Sequence, residues 1–211
     1  MLDPFYLIVD SAKWIGRLLP CGVRLVQLRI KDQPEPVIRA EIEQSNALCA
    51  RYGAQLIVND YWNQAIDAGC DFVHLGQGDL DTADLSAIRR AGMRLGVSTH
   101  DEAELCRALK AKPDYVALGP IYPTLLKQMA FAPQGLPRIA EWKKKIGAIP
   151  LIAIGGITLE RVRDVLNAGA DSAAVVTDIA RSANPEARAT DWLAATRPHR
   201  SQSLVTGRRE R

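Results

Sequence analysis

Val26-Gln27-Leu28-Arg29-Ile30-Lys31, residues 26–31, alternates apolar and polar side chains. Read as a β-strand, it places Gln27, Arg29 and Lys31 on one face. A helical pattern over 35–51 follows, its start marked by Pro34 and Pro36. A strand that precedes a helix in an α/β protein is normally apolar on both faces. Two cations and an amide aligned inside such a fold therefore need a partner. That partner is either a bound polyanion or a set of core carboxylates.

The same strand-then-helix unit recurs along the chain. Strands are predicted over 5–9, 23–28, 55–58, 72–75, 94–97, 115–118, 151–154 and 172–176. Helices are predicted over 11–19, 35–51, 62–68, 82–91, 101–110, 136–145, 159–168 and 186–195, with Gly69 and Gly92 as stops. Eight such pairs match an α/β, single-domain (β/α)8 TIM barrel. The competitor is a doubly wound open sheet, which usually carries a glycine fingerprint after its first strand. Val9-Asp10-Ser11-Ala12 has none. The barrel is assigned to residues 1–196, and 197–211 is expected to be a basic, disordered tail.

The bulk numbers narrow the function classes. The net charge is +3, and much of it lies in the tail at Arg200, Arg208, Arg209 and Arg211, so no nucleic-acid partner is inferred. No apolar run is long enough to cross a bilayer and no signal peptide is evident, which predicts a soluble, cytoplasmic protein with no membrane partner. Cys21, Cys49, Cys70 and Cys106 lack paired spacing for zinc, and Cys21 and Cys70 read as buried, reduced thiols. A barrel this small is compatible with a homo-oligomer, but no interface is legible.

In a barrel the ligand site lies at the C-terminal ends of the strands. Asn59-Asp60 follows the third strand and His74-Leu75-Gly76-Gln77-Gly78-Asp79 spans the end of the fourth. Asp60 and Asp79 can converge above the rim, and two carboxylates beside Arg29 and Lys31 suit Mg²⁺ with phosphate oxygens. Each aspartate has a plainer reading as a helix N-cap, Asp60 for the helix at Trp62. His74 reads as a hydrogen-bonded core histidine, and Ser98 or Thr99 as a cap for the helix beyond His100. Gly155-Gly156 after the seventh strand and Val176-Thr177 after the eighth stand where barrels often cradle a phosphate on backbone N–H groups. A tight turn needing positive φ is the alternative for the glycines. The long loop from Gly119 to Gly135 reads as a lid or substrate loop, with Lys127 either a diphosphate ligand or a solvated lysine.

Together these motifs resemble the thiamine phosphate synthase family from about Tyr6 to Glu186. The resemblance rests on Val-Gln-Leu-Arg-x-Lys at 26–31, Asn-Asp at 59–60, His-Leu-Gly-Gln-x-Asp at 74–79 and Gly-Val-Ser-Thr at 96–99. Gly-Pro-Ile-Tyr-Pro-Thr at 119–124, Ala-Ile-Gly-Gly-Ile at 153–157 and Val-Val-Thr at 175–177 complete it. It implies a Mg²⁺-dependent transferase that joins a pyrimidine diphosphate to a thiazole phosphate, or its carboxylated form, by a dissociative step. It implies that Gln27, Arg29, Lys31, Asn59, Ser98 and Lys127 contact the pyrimidine diphosphate. Asp60 and Asp79 match the metal ligands, and Thr124, Gly156, Val176 and Thr177 match positions on the thiazole phosphate. Among these, Arg29, Lys31, Lys127 and Ser98 are expected to act in catalysis.

Three departures stand out. Leu126 replaces a threonine expected to touch the thiazole, Ile30 replaces an acidic residue, and Asp178 adds a negative charge beside the expected phosphate. Two related alternatives are a thiazole tautomerase, which carries a histidine in place of Pro120, and a non-catalytic ligand-binding paralogue. A sugar-phosphate isomerase on the same barrel is a third, and it needs a base that the sequence does not offer.

Overall fold

A computed structural model of the chain describes residues 2–124 and 131–206. Eight parallel strands close into a barrel in sequence order. They are β1 (Phe5–Val9), β2 (Leu25–Leu28), β3 (Gln55–Asn59), β4 (Phe72–Leu75), β5 (Arg94–Thr99), β6 (Tyr115–Leu118), β7 (Leu151–Ile154) and β8 (Ser172–Val175). Closure is made by β1 against β8, with Phe5 opposite Ala173 and Leu7 opposite Val175.

The helices are α1 (Ala12–Leu18), α2 (Glu35–Tyr52), α3 (Trp62–Asp67), α4 (Gln77–Thr82), α5 (Leu85–Arg90), α6 (Glu102–Lys110), α7 (Gly135–Ile146), α8 (Val162–Asn167), α9 (Thr177–Ala180) and α10 (Pro185–Thr206). Two differences from the sequence reading matter. The helix expected over 82–91 is the shorter α5, and an unexpected helix, α4, precedes it, so Asp79 sits in a helical first turn rather than a loop. The last helix continues to Thr206, well beyond the expected end at 195.

Apolar residues sort into two layers by strand parity. Leu7, Val26, Leu28, Val73, Val97 and Val116 face outward onto Ile15, Ile42, Ile139, Trp142 and Trp192 of the helices. Tyr6, Ile8, Leu25, Ile57, Phe72, Tyr115 and Ile152 fill the barrel interior. Burial on both faces explains why the strands read as apolar runs. Ile30 joins the outer layer, as expected of a residue facing the helices. Among the thiols, Cys49 and Cys70 are buried, while Cys21 is only partly covered and Cys106 is exposed. No described helix is long and apolar enough to cross a membrane.

Candidate active site

β2 ends at Leu28, and this changes the reading of the 26–31 stretch. Only Gln27 is inside the barrel, 3% exposed, whereas Arg29 and Lys31 emerge at the rim and are exposed. The expected layer of buried charge does not exist, because the strand delivers its cations to solvent at the barrel mouth. The backbone N–H of Arg29 still bonds the Val9 carbonyl at 2.8 Å, so the rim segment remains anchored to the sheet.

Lys31 forms an ion pair with Asp60. Asp60 takes a left-handed backbone with φ 66°, a conformation that costs a non-glycine residue about 1 kcal/mol and that aspartate tolerates better than most. Its N–H is held by the His74 carbonyl at 2.9 Å. The capping reading fails here: Tyr61 occupies the N-cap of α3, with no side-chain cap, and the Asp60 carboxylate faces Lys31 instead.

Asp79 reaches the same point from α4. A Cβ on Gly76, the N-cap of α4, would lie 3.1 Å from Asp79 Oδ2, so the bare glycine leaves room for the carboxylate to fold back. Burial raises the Asp79 carboxyl above its ordinary range, reinforced by the Asp60 charge and a hydrogen bond between the two groups. Two convergent carboxylates with one lysine form a site short of positive charge. Among the described residues no group of three His, Cys, Asp or Glu could hold a metal. An oxygen-only pair suits Mg²⁺, which takes one or two carboxylates and completes its shell with phosphate and water.

Beneath the rim runs a column of buried polar groups. Gln27 Nε2 donates to the Tyr6 hydroxyl at 2.8 Å, and the Tyr6 and Tyr115 hydroxyls are 3.1 Å apart. The Tyr115 hydroxyl meets His74 Nδ1 at 2.7 Å, and His74 Nε2 meets Ser98 Oγ at 2.8 Å. Burial pushes His74 down to about 4 and raises both phenols, so the ring is neutral and the tyrosines stay protonated. Gly96 makes this possible, because a Cβ there would overlap the Tyr115 ring. His74 is thus the hydrogen-bonded interior histidine that the sequence suggests. Neither Ser98 nor Thr99 caps α6. Asp101 does so, accepting from Glu104 N, while Thr99 bonds the Ala117 carbonyl and Trp142 Nε1.

The opposite side of the mouth is built from backbone. Ile121 N and Tyr122 N donate to the carbonyls of Ile154 and Gly155 at 2.9 and 3.0 Å, laying the β6 loop along the end of β7. Gly155 and Gly156 have φ of 96° and 66°, and a Cβ on them would fall 2.7 Å from Pro120 and 2.5 Å from the Pro123 carbonyl. The turn reading of this pair therefore holds, and it also brings Thr124 to the same region. Arg161 fixes the turn by bonding the Gly156 carbonyl at 2.8 Å and stacking over Tyr122. After β8, Val176 precedes the short helix α9, whose first N–H groups begin at Thr177.

Asp178 turns away from that mouth. It accepts two bonds from Arg188 at 2.9 Å, one from Trp192 Nε1 at 2.6 Å and one from Leu159 N at 3.2 Å. Its charge is neutralised against α10, which resolves its odd position beside Thr177. Leu126 and Lys127 lie outside the described residues. His100 bonds Glu104 and stacks on Phe131, beside a cavity of about 470 Å³ that holds none of the sequence-predicted residues.

The structure thus gathers Asp60, Asp79 and Lys31 directly and links Gln27 to Ser98 through the interior column. Asn59, buried at the end of β3, directly precedes Asp60 and lies opposite His74 across the β3–β4 pair. Sequence reasoning missed Tyr6, Tyr115, Gln77 and Arg161. The available signal was the parity of Tyr6 and Tyr115, two phenols pointing inward that need partners for their hydroxyls.

The profile of the thiamine monophosphate synthase family matches residues 5–179. The chain is 66% identical over 200 residues to the thiamine-phosphate synthase of Rhizobium etli, covering 95% of this chain and 98% of that protein. It is 51% identical over 191 residues to the Serratia proteamaculans thiamine-phosphate synthase, covering 90% and 87%. Among solved structures, a thiamine phosphate pyrophosphorylase from Pyrococcus furiosus superposes with a TM-score of 0.82 at 23% identity, covering 92% of this chain and 96% of that one. A 3-hexulose-6-phosphate synthase shares the barrel at 0.66 and 18% identity, over 92% and 99%. With a profile match along most of its length and a relative two-thirds identical, this chain belongs to the thiamine-phosphate synthase family of enzymes.

Proposed function

We propose that the chain condenses hydroxymethylpyrimidine diphosphate with a thiazole phosphate, releasing diphosphate and thiamine phosphate; with the carboxylated form of the thiazole, carbon dioxide leaves as well. The observation that carries this reading is the Lys31–Asp60–Asp79 cluster at the rim, directly above the buried column that ends in Ser98. Asp60 and Asp79 would hold Mg²⁺, which when bound neutralises charge on the diphosphate as a Lewis acid.

Each substrate meets a different kind of chemistry. Arg29, Lys31 and Lys127 would stabilise the negative charge that grows on the departing diphosphate. Gln27, Asn59 and Ser98 would orient the pyrimidine and its diphosphate by hydrogen bonds. Cleavage of the C–O bond leaves a methylene cation conjugated with the pyrimidine, and its electron pair departs with diphosphate. The thiazole nitrogen then supplies the pair for the new C–N bond. Thr124, Gly156, Val176 and Thr177 would bind the thiazole phosphate, aiming that nitrogen at the cation, so catalysis is by positioning as well as charge.

The experiment is direct. Purified protein incubated with both substrates and Mg²⁺ is expected to form thiamine phosphate and diphosphate in equal amounts. Absence of product with both forms of the thiazole overturns the reading.

A further inference from the structure

We propose that Gln27, Tyr6, Tyr115 and His74 form a directional hydrogen-bond chain that presents the Ser98 hydroxyl to the pyrimidine diphosphate strictly as a donor. In this arrangement Tyr6, Tyr115 and His74 are positioning residues, and the role given to Ser98 rests on the reading under Proposed function.

The direction follows from counting protons. The Gln27 amide nitrogen donates to the Tyr6 oxygen and cannot accept. Tyr6 is 1% exposed, and the other hydroxyl within reach is that of Tyr115, so the Tyr6 hydrogen goes there. Tyr115 is fully buried, and having accepted from Tyr6 it spends its own hydrogen on His74 Nδ1. Nδ1 is therefore bare. A neutral imidazole carries one hydrogen, so it resides on Nε2 and points at Ser98 Oγ.

Ser98 is then supplied with a donor from below, and its own hydrogen is directed toward the barrel mouth. Its backbone is pinned too: Gln77 Nε2 donates to the Ser98 carbonyl at 2.6 Å. A diphosphate offers acceptors almost exclusively, so a serine hydroxyl is useful to it only as a donor. The opposite direction of the chain would leave the Tyr6 hydrogen buried without an acceptor, a loss that interiors avoid. The column thus converts a freely rotating hydroxyl into one with a single useful orientation, which is preorganisation of the kind that lowers barriers.

Two measurements test this on the full chain. The first needs no substrate: ¹⁵N-histidine-labelled protein, with the His74 signals identified by their loss in His74→Gln, is expected to show protonated Nε2 and bare Nδ1. A hydrogen on Nδ1 overturns the proposal. The second is kinetic. Tyr115→Phe is expected to lower kcat about tenfold, the scale of one lost positioning bond, with a smaller effect on KM for the pyrimidine diphosphate. In a Ser98→Ala background the same change should cost almost nothing further. His74→Gln, whose amide can still donate to Ser98, should retain more activity than His74→Asn, which reaches only toward Tyr115. Losses that multiply in the double variant, or equal activity in the two histidine variants, overturn it. If the wild type makes no thiamine phosphate, the function reading fails while the tautomer measurement still decides the direction of the chain.

Discussion

Acid should unfold this protein earlier than its surface charges require, and His74 is the reason. Burial lowers this imidazole from 6.5 to about 4. Between those values the unfolded chain binds a proton that the folded state refuses, so stability rises with pH across the window and is lost as pH falls. Going from about pH 7.5 to about pH 4.5 removes about 2.5 kcal/mol through this one residue. The Asp79 carboxyl works in the opposite sense, because its raised value favours the folded state as pH falls. The contribution of His74 is therefore read from a difference. Urea unfolding of wild type and His74→Gln at several pH values should give curves that converge as pH falls, wild type losing about 2.5 kcal/mol more than the variant. Parallel curves across that range would show that His74 is not buried in a neutral state, and the interior column would have to be redrawn.

Other perturbations separate chemistry from architecture. Asp60→Ala and Asp79→Ala should each abolish Mg²⁺-dependent turnover with the circular dichroism spectrum intact, and a rate near wild type in either refutes the metal assignment. Gly96→Ala forces a Cβ into the Tyr115 ring and should cost about 2 kcal/mol or more in denaturant unfolding, with loss of activity. Asp178→Ala leaves the Trp192 indole N–H without its acceptor and Arg188 with Glu160 as its remaining partner, and should destabilise the fold by about 3 kcal/mol, whereas a change below about 1 kcal/mol refutes its anchoring role.

The barrel was legible because each strand is buried on both faces and each helix follows it, so apolar runs and helical patterns alternate without interruption. Strands β1, β4, β6 and β7 fall where the sequence puts them. The convergence of Asp60 and Asp79 was legible because both stand just after neighbouring strand ends. The site was illegible where role depends on three-dimensional partners. Gln27 and Lys31 look equivalent in a strict alternation, yet the strand ends between them and sends one into the interior and the other to solvent. Asp178 looked misplaced beside a phosphate site until α10 supplied Arg188 and Trp192, residues too distant in sequence to suggest the pairing. For Asp60 the cap stood as an alternative because the left-handed backbone that accompanies its pairing with Lys31 is not specified by residue type alone.

The two sides of the mouth are held by different physics, and this predicts how they tolerate change. On the β2–β4 side the contacts are side chains: an ion pair, two carboxylates and a strained backbone that costs stability in exchange for aim. Substitution there removes a functional group outright and leaves the barrel standing. On the β7–β8 side the recognition elements proposed at Gly156 and Val176 are backbone groups, and no substitution of either removes an N–H except proline. What can be altered is the frame behind them: Arg161 on the Gly156 carbonyl, Asp178 on α10 and Leu159, and the β6 loop lying against Gly155. Sensitivity on this side should therefore map to residues behind the mouth. Arg161→Ala, which unpins the Gly156 turn, should raise KM for the thiazole phosphate about tenfold with kcat and the pyrimidine KM nearly unchanged. An equal effect on both substrates would mean that the two sides share one frame, and the division between charge and backbone would fall.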